Sequence, residues 1–379
     1  MSISMRLEYS HKKSGEKDVM TVFKVVLYPE KTVKASGFHY IILIDVSNSM
    51  RKGKLDLAKE GAMNLIEKIP KDNVVSLISF GDSVNVVVEG KEPTYALEAI
   101  PSLKVAGNTA MYTALLTATK IAAKYNMPGR IILLTDGMPT DVSIIESYEN
   151  LQIPDGFRID SIGIGDNYRD DLLKMLADRS NSIFYHLENP EELPKVMGNT
   201  ISSDIAAKNI QIDFDGPEKI KVLNYSGPPV KIGVIESAVK IYGTTLMRRD
   251  FSGKLLSAHM KYELGDMEFT DNKDVEITRA TSNDDYIMNL NADLINEYRY
   301  FELLNQYEKD VSMGNLVEAT RKMDKINTVA EQTRRMDLIE STRSLSQQLE
   351  ATRKIGADPE ATRNLARETA SEVTKKLRG

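Results

Sequence analysis

Ile41–Met50 reads IILIDVSNSM: four apolar residues run straight into Asp45, and Ser47 and Ser49 follow at alternate positions. An apolar run this continuous does not suit a half-exposed strand and belongs inside a sheet covered on both faces. Related runs recur as RIILLTDG, RIDSIGIG and SIFYHL, and between them lie LDLAKEGAMNLIEKI, TAMYTALLTATKIAAKY and DLLKMLADRS, with apolar residues at helical spacing. From Phe38 to about Asn199 the pattern therefore predicts an α/β unit, a doubly wound and mostly parallel sheet with helices on both faces.

The flanking sequence is of a different kind. Residues 4–35 hold two extended runs around a charged, glycine-containing turn and predict a β-hairpin. Residues 205–283 return to short strands punctuated by Gly, Pro and Asp, which predicts an antiparallel β-sandwich. An isolated hairpin is too small to be stable, so it is expected to pair into that sandwich, making the α/β unit an insertion. From Asp284 onward the sequence is helical. Ile287, Leu290, Leu294, Tyr298, Phe301 and Leu304 form one stripe, and Asp358 with Pro359 is placed to cap and open a later helix. The expected domains are thus 1–37 and 205–283 for the sandwich, 38–204 for the insertion and 284–379 for a helical region.

The 379 residues, 41% of them hydrophobic, are enough for a substantial core, and two or three domains are expected. The absence of cysteine removes disulfides, thiolate metal sites and cysteine nucleophiles. The four histidines, His11, His39, His186 and His259, show no metal-ligand spacing, which argues against zinc. A net charge of −6 without a basic face argues against nucleic acid. No apolar run approaches the length of a membrane span and the N-terminus lacks a secretory pattern, so a cytoplasmic address without membrane attachment is expected.

In an open parallel sheet, ligands bind beyond the carboxyl ends of the strands, where Asp45, Ser47 and Ser49 fall. Hard divalent cations take oxygen ligands, and Mg²⁺ keeps several waters within a near-octahedral set. Two hydroxyls on alternate residues of a turn can aim at one point beside a carboxylate. Further loops offer Thr109 in AGNTAMYTA and Asp136 in IILLTDGMPTD; Asp82 in SFGDSV reads as a turn aspartate. The competing reading has Ser47 and Ser49 capping a helix and Asp45 satisfying backbone amides. DxSxS, a loop threonine and a strand-end TDG resemble the metal-ion-dependent adhesion site of von Willebrand factor A domains, over roughly residues 38–199. The resemblance implies Mg²⁺ or Mn²⁺ held by Asp45, Ser47, Ser49 and Thr109 directly or through water, with Asp136 in contact or one water away. One departure is that Asn108 stands where the family often has a second glycine.

The C-terminal region carries T-R-x-[M/L/I] five times, at Thr320, Thr333, Thr342, Thr352 and Thr362, with Met323, Met336, Leu345, Ile355 and Leu365 at the fourth position. On a helix the first and fourth positions share a face, which fits a packing stripe with arginine outside. Phosphorylation is the other reading, since phosphothreonine offers charge and acceptor oxygens to an arginine-lined pocket. An aliphatic residue three positions on resembles the preference of forkhead-associated (FHA) domains.

The whole arrangement resembles archaeal A-domain regulators of the archaellum network. That resemblance implies a non-enzymatic, phosphorylation-controlled adaptor with an FHA zinc-finger partner, acted on by protein kinases and a phosphatase, repressing motility genes. The alternatives are a subunit working with an ATPase and a metal-dependent hydrolase. Against an enzyme, the sequence shows no histidine base beside the metal loops, no P-loop and no GxSxG elbow.

Overall fold

The computed structural model describes residues 2–378 except 35, 126, 201–203, 224, 266 and 355–357. Its centre is a six-stranded sheet in the order Phe184–Leu187, Phe157–Ile164, Gly129–Thr135, His39–Asp45, Val74–Phe80 and Val84–Lys91. All neighbours are parallel except the last pair, so only the Val84–Lys91 edge runs against the rest. Every residue of His39–Asp45 is buried, as the continuous apolar run predicts. Alternate side chains point to opposite faces. Ile42 and Ile44 meet Ala58, Ala62 and Leu65 of helix Lys54–Ile66, while Ile41 and Leu43 meet Ala114, Leu115 and Ala118 of helix Met111–Tyr125. Each fully buried side chain of this size contributes about 1.5–3 kcal/mol.

This unit is inserted in an antiparallel β-sandwich. One sheet runs Ile3–Tyr9, Val19–Pro29, Val239–Met247 and Lys221–Leu223; the other runs Val230–Ile235, Ala207–Asp215, Gly253–Leu264, Met267–Arg279 and Lys13–Ser14. The N-terminal hairpin is present, with Tyr9 opposite Phe23, although its connection sends Lys13–Ser14 to the second sheet. Entry to and exit from the insertion are held together where Val33–Lys34 pairs with Asp204–Ile205. Deeper in, the fully buried Arg130 joins the two units by pairing with Asp160 at 2.9 Å and with Glu236, between two sandwich strands, at 3.0 Å.

Four helices, Ala292–Ser312, Leu316–Thr333, Met336–Lys354 and Pro359–Arg378, complete the chain. Their core includes Val22 and Tyr242 of the sandwich, so they are an integral layer and not a free tail. The expected stripe breaks at its start. Ile287 is exposed on a separate helix, Asn283–Met288, and the long helix opens at Asn291, whose side chain accepts from the Leu294 amide. The Asp358 side chain accepts from the amides of Glu360 and Ala361, as its position predicts. Helix Pro359–Arg378 also covers the edge of the parallel sheet: Thr374 accepts from the Phe184 amide at 3.2 Å and Ser371 from the His186 amide at 3.4 Å. Covering an open edge removes a template for unwanted strand pairing.

Two buried histidines set an acid limit. His39 meets Ser76 at 2.7 Å and His186 meets Tyr168 at 2.6 Å, and burial holds each imidazole down at about 4 from a usual 6.5. The unfolded chain therefore binds more protons between those values. Their contribution is complete above pH 6.5 and lost as pH falls toward 4, by about 3 kcal/mol for each ring. Melting temperature is expected to fall on going from pH 7 to pH 5, less steeply in His39→Gln; equal slopes would refute this assignment.

Candidate metal centre

The carboxyl end of His39–Asp45 is flanked by the ends of Val74–Phe80 and Gly129–Thr135, with Asp45 opposite Phe80 and Ile44 opposite Leu134. This register brings Thr135 to the buried Asp45, where its hydroxyl donates to Oδ2 at 2.6 Å, while the Ser47 amide donates to Oδ1 at 2.8 Å. Ser47 and Ser49 hydroxyls lie 2.8 Å apart, and Ser49 donates to Asp136 Oδ1 at 2.6 Å. The helix-capping reading of the serines is not observed: Ser47 precedes the short turn Asn48–Met50 without a side-chain capping bond.

The threonine loop is fixed from two sides. Gly107 has φ of +61°, and a Cβ there would lie 1.7 Å from Asp82 Oδ2, so only glycine fits above that carboxylate. Asp82 accepts from the Asn108 backbone amide at 2.8 Å, a bond that a second glycine would make as well. On the other side the Thr109 amide donates to the Thr140 hydroxyl and the Thr140 amide to the Thr109 carbonyl, both at 3.0 Å. Thr109 is thereby held against the TDG segment.

Gly137 marks where the loops converge. A Cβ built on it would stand 3.1 Å from Thr109 Oγ1, 3.3 Å from Ser49 Oγ and 3.6 Å from Asp45 Oδ2, so the Asp45–Ser49 segment and the threonine loop meet at the TDG glycine. A hydroxyl- and carboxylate-lined cradle open at a glycine suits a hard cation with some water retained. The centre offers two carboxylates and otherwise hydroxyls, and among the described residues no group of three or more His, Cys, Asp or Glu is placed to hold a metal ion. Burial, with the Asp136 charge adding to it, raises the Asp45 carboxyl to about 6. Between its usual 3.8 and about 6, protonation of Asp45 favours the folded chain, offsetting about one of the two histidines.

The fold brings together all five residues read from the sequence, Asp45, Ser47, Ser49, Thr109 and Asp136. Sequence reading missed Thr135, Thr140 and Lys54, whose ammonium lies 2.6 Å from Asp136 Oδ2. It also gave Asp82 no part beyond a turn.

The five threonines of the C-terminal repeat lie elsewhere. Thr333, Thr342, Thr352 and Thr362 are buried and Thr320 is half-buried. Each hydroxyl donates to a carbonyl of the preceding turn: those of Leu316, Ala330, Leu338, Gln348 and Asp358 in chain order. Met323, Leu345 and Leu365 are buried beside them, Met336 is exposed, Ile355 lies outside the described residues, and the five arginines after the threonines face solvent. In this conformation the repeat is a packing stripe.

Residues 40–138 match the von Willebrand factor type A domain, and residues 292–379 match the C-terminal domain of archaellum regulatory network B. Over its whole length the chain is similar to the ArnB paralog VWA2 from Sulfolobus acidocaldarius, with 29% identity, coverage of 100% of this chain and 98% of that one, and a TM-score of 0.84. A von Willebrand factor type A protein from Catenulispora acidiphila, 15% identical, shares the fold over 90% of this chain and 89% of that one with a TM-score of 0.70. An uncharacterized Synechocystis protein is 27% identical over 158 residues, 40% of this chain, and the match spans only 38% of that relative's length. Among the described residues no helix is long and apolar enough to cross a membrane. The chain thus carries a von Willebrand factor A domain and an archaellum regulatory network B C-terminal domain in one polypeptide, and is similar along its whole length to an ArnB paralog.

Proposed function

We propose that this chain is a cytoplasmic, non-enzymatic interaction scaffold that represses archaellum gene expression under the control of Ser/Thr phosphorylation. The observation that carries the reading is the match of residues 292–379 to the archaellum regulatory network B C-terminal domain, in the same chain as a complete DxSxS, Thr109 and Asp136 set. Asp45, Ser47, Ser49, Thr109 and Asp136 would hold Mg²⁺ or Mn²⁺, which when bound supplies a hard Lewis-acid point for a partner's carboxylate. The chain's own groups set that point: Thr135 and the Ser47 amide orient Asp45, and Asp82 and Thr140 hold the threonine loop. A hydrolase is disfavoured because His39 occupies the far end of the strand that carries Asp45, roughly 20 Å away.

The partner is an FHA-domain reader of phosphothreonine, and a kinase and phosphatase set the state. Thr320, the half-buried member of the repeat, is the first site for a kinase; the other four become reachable when the helices open. The test is titration of the FHA-domain protein with the full chain before and after Ser/Thr kinase treatment, with phosphate mapped by mass spectrometry. Binding that requires phosphate on the repeat is expected. Equal affinity for both forms would sink the phosphorylation reading and leave the A-domain face as the docking surface.

A further inference from the structure

Lys54 has no place in the ligand set that the A-domain motif implies, yet its ammonium occupies the most acidic point of the centre. Asp136 is fully buried, with Oδ1 accepting from Ser49 at 2.6 Å and Oδ2 facing Lys54 Nζ at 2.6 Å. Both oxygens of Asp45 are likewise engaged, by Thr135 and the Ser47 amide. The centre thus satisfies its two carboxylates from within the chain, and among the described residues Lys54 is the one cation in direct contact with either.

The placement of Lys54 is specific. It is the first residue of helix Lys54–Ile66, entered through Gly53 at φ +89°, a turn that directs the side chain back over the strand ends. The Lys54 side chain is 31% exposed whereas Asp136 is 0% exposed. The carboxylate is therefore fixed while the ammonium has a way out to water. Nζ also lies 3.9 Å from the position a Cβ would take on Gly165, so the amine rests at the rim beside the next strand end.

We propose that Lys54 is a tethered cation that competes with the divalent ion for Asp136, so that metal entry displaces the ammonium and Lys54 sets the affinity of the centre. The inference rests on the reading of Asp45, Ser47, Ser49, Thr109 and Asp136 as the metal site. Two carboxylates and one ammonium leave a net charge of −1 around neutral hydroxyls. A divalent ion entering beside the ammonium meets like charge at close range with little intervening water, where repulsion is poorly screened. Swinging Lys54 outward relieves it and frees Asp136 Oδ2. The opposing arrangement keeps Lys54 on Asp136 while the ion reaches Asp136 only through Ser49 or water, and then removing the amine would not tighten binding.

The experiment is Mn²⁺ titration of the full chain, followed by electron paramagnetic resonance of free Mn²⁺, for wild type, Lys54→Met and Lys59→Met. Lys59 lies on the same helix with its ammonium donating to the Pro101 carbonyl at 3.4 Å, so its loss changes net charge without removing a contact to the centre described above. Lys54→Met is expected to bind Mn²⁺ at least about tenfold more tightly, and Lys59→Met to stay within about twofold of wild type. In an Asp136→Asn background the gain from Lys54→Met should vanish, because the shared carboxylate is gone. Binding by Lys54→Met alone would support the inference in its strongest form. Equal or weaker binding by Lys54→Met, with wild type binding, would overturn it and leave the metal site standing. If neither binds Mn²⁺, the metal reading falls and the inference with it.

Discussion

Replacing Gly137 with alanine is expected to weaken Mg²⁺ or Mn²⁺ binding on the order of a hundredfold while leaving the fold intact. The added methyl would stand within 3.1–3.6 Å of Thr109 Oγ1, Ser49 Oγ and Asp45 Oδ2, in the space those oxygens enclose. No carboxylate or hydroxyl is removed, so the loss reports shape and not charge. Asp45→Ala should also abolish binding, but it leaves the Ser47 amide without its acceptor and the Thr135 hydroxyl with the longer bond to the Gly137 carbonyl, at a cost of about 1–3 kcal/mol in stability. The pair separates the two effects: Gly137→Ala should melt near the metal-free wild type, and Asp45→Ala below it. Metal that raises the melting temperature of Gly137→Ala as much as that of wild type would show that the ion does not use this cradle.

The parts of this centre that sequence reveals are those carried by strand ends. Asp45 and Asp136 each end an apolar run, and the turn after Asp45 is short enough for Ser47 and Ser49 to be read with it. Thr135 is hidden because its role depends on the parallel register that sets Leu134 beside Ile44. Lys54 is hidden for a related reason: it reads as a solvated helix start, and only the fold places it beside Asp136. Helix Pro93–Ala99 escapes notice because only Pro93 and Ala96 are buried along it, too few to write a stripe. The break before Ala292 is masked in the opposite way, since Ile287 and Leu290 continue the helical spacing past an asparagine cap. The long C-terminal helices are legible from periodicity, but their packing on Val22 and Tyr242 is a tertiary fact that no local pattern encodes.

Thr342→Glu is expected to destabilise the C-terminal helices by about 4–5 kcal/mol, whereas Thr320→Glu should stay within about 0.5 kcal/mol of wild type. Thr342 is 1% exposed, and its hydroxyl donates to the Leu338 carbonyl at 2.7 Å and lies 3.2 Å from the Tyr300 hydroxyl. Burial already pushes the Tyr300 phenol up to about 12, with Glu372 and Asp337 adding to the rise and Arg335 opposing it, so a carboxylate at position 342 enters a poorly solvated space whose nearby cations are already paired with these acids. Thr320 sits half-buried two turns before the buried Ile326, and a charge there can turn to solvent beside Arg321. The two variants thus separate two modes of control. A charge at Thr320 would act as a tag on an intact surface, and a charge at Thr342 would open the helical layer, uncovering Tyr242 and the sheet edge beneath the last helix. Limited trypsin digestion reads the difference directly, because the arginines after each threonine face solvent and become cleavable once their helices loosen. Rapid cleavage after Arg343 and Arg353 is expected for Thr342→Glu alone. Equal resistance in both variants would mean that the buried threonine tolerates charge without opening, and control through Thr342 would then require a reader able to engage the helix as it stands.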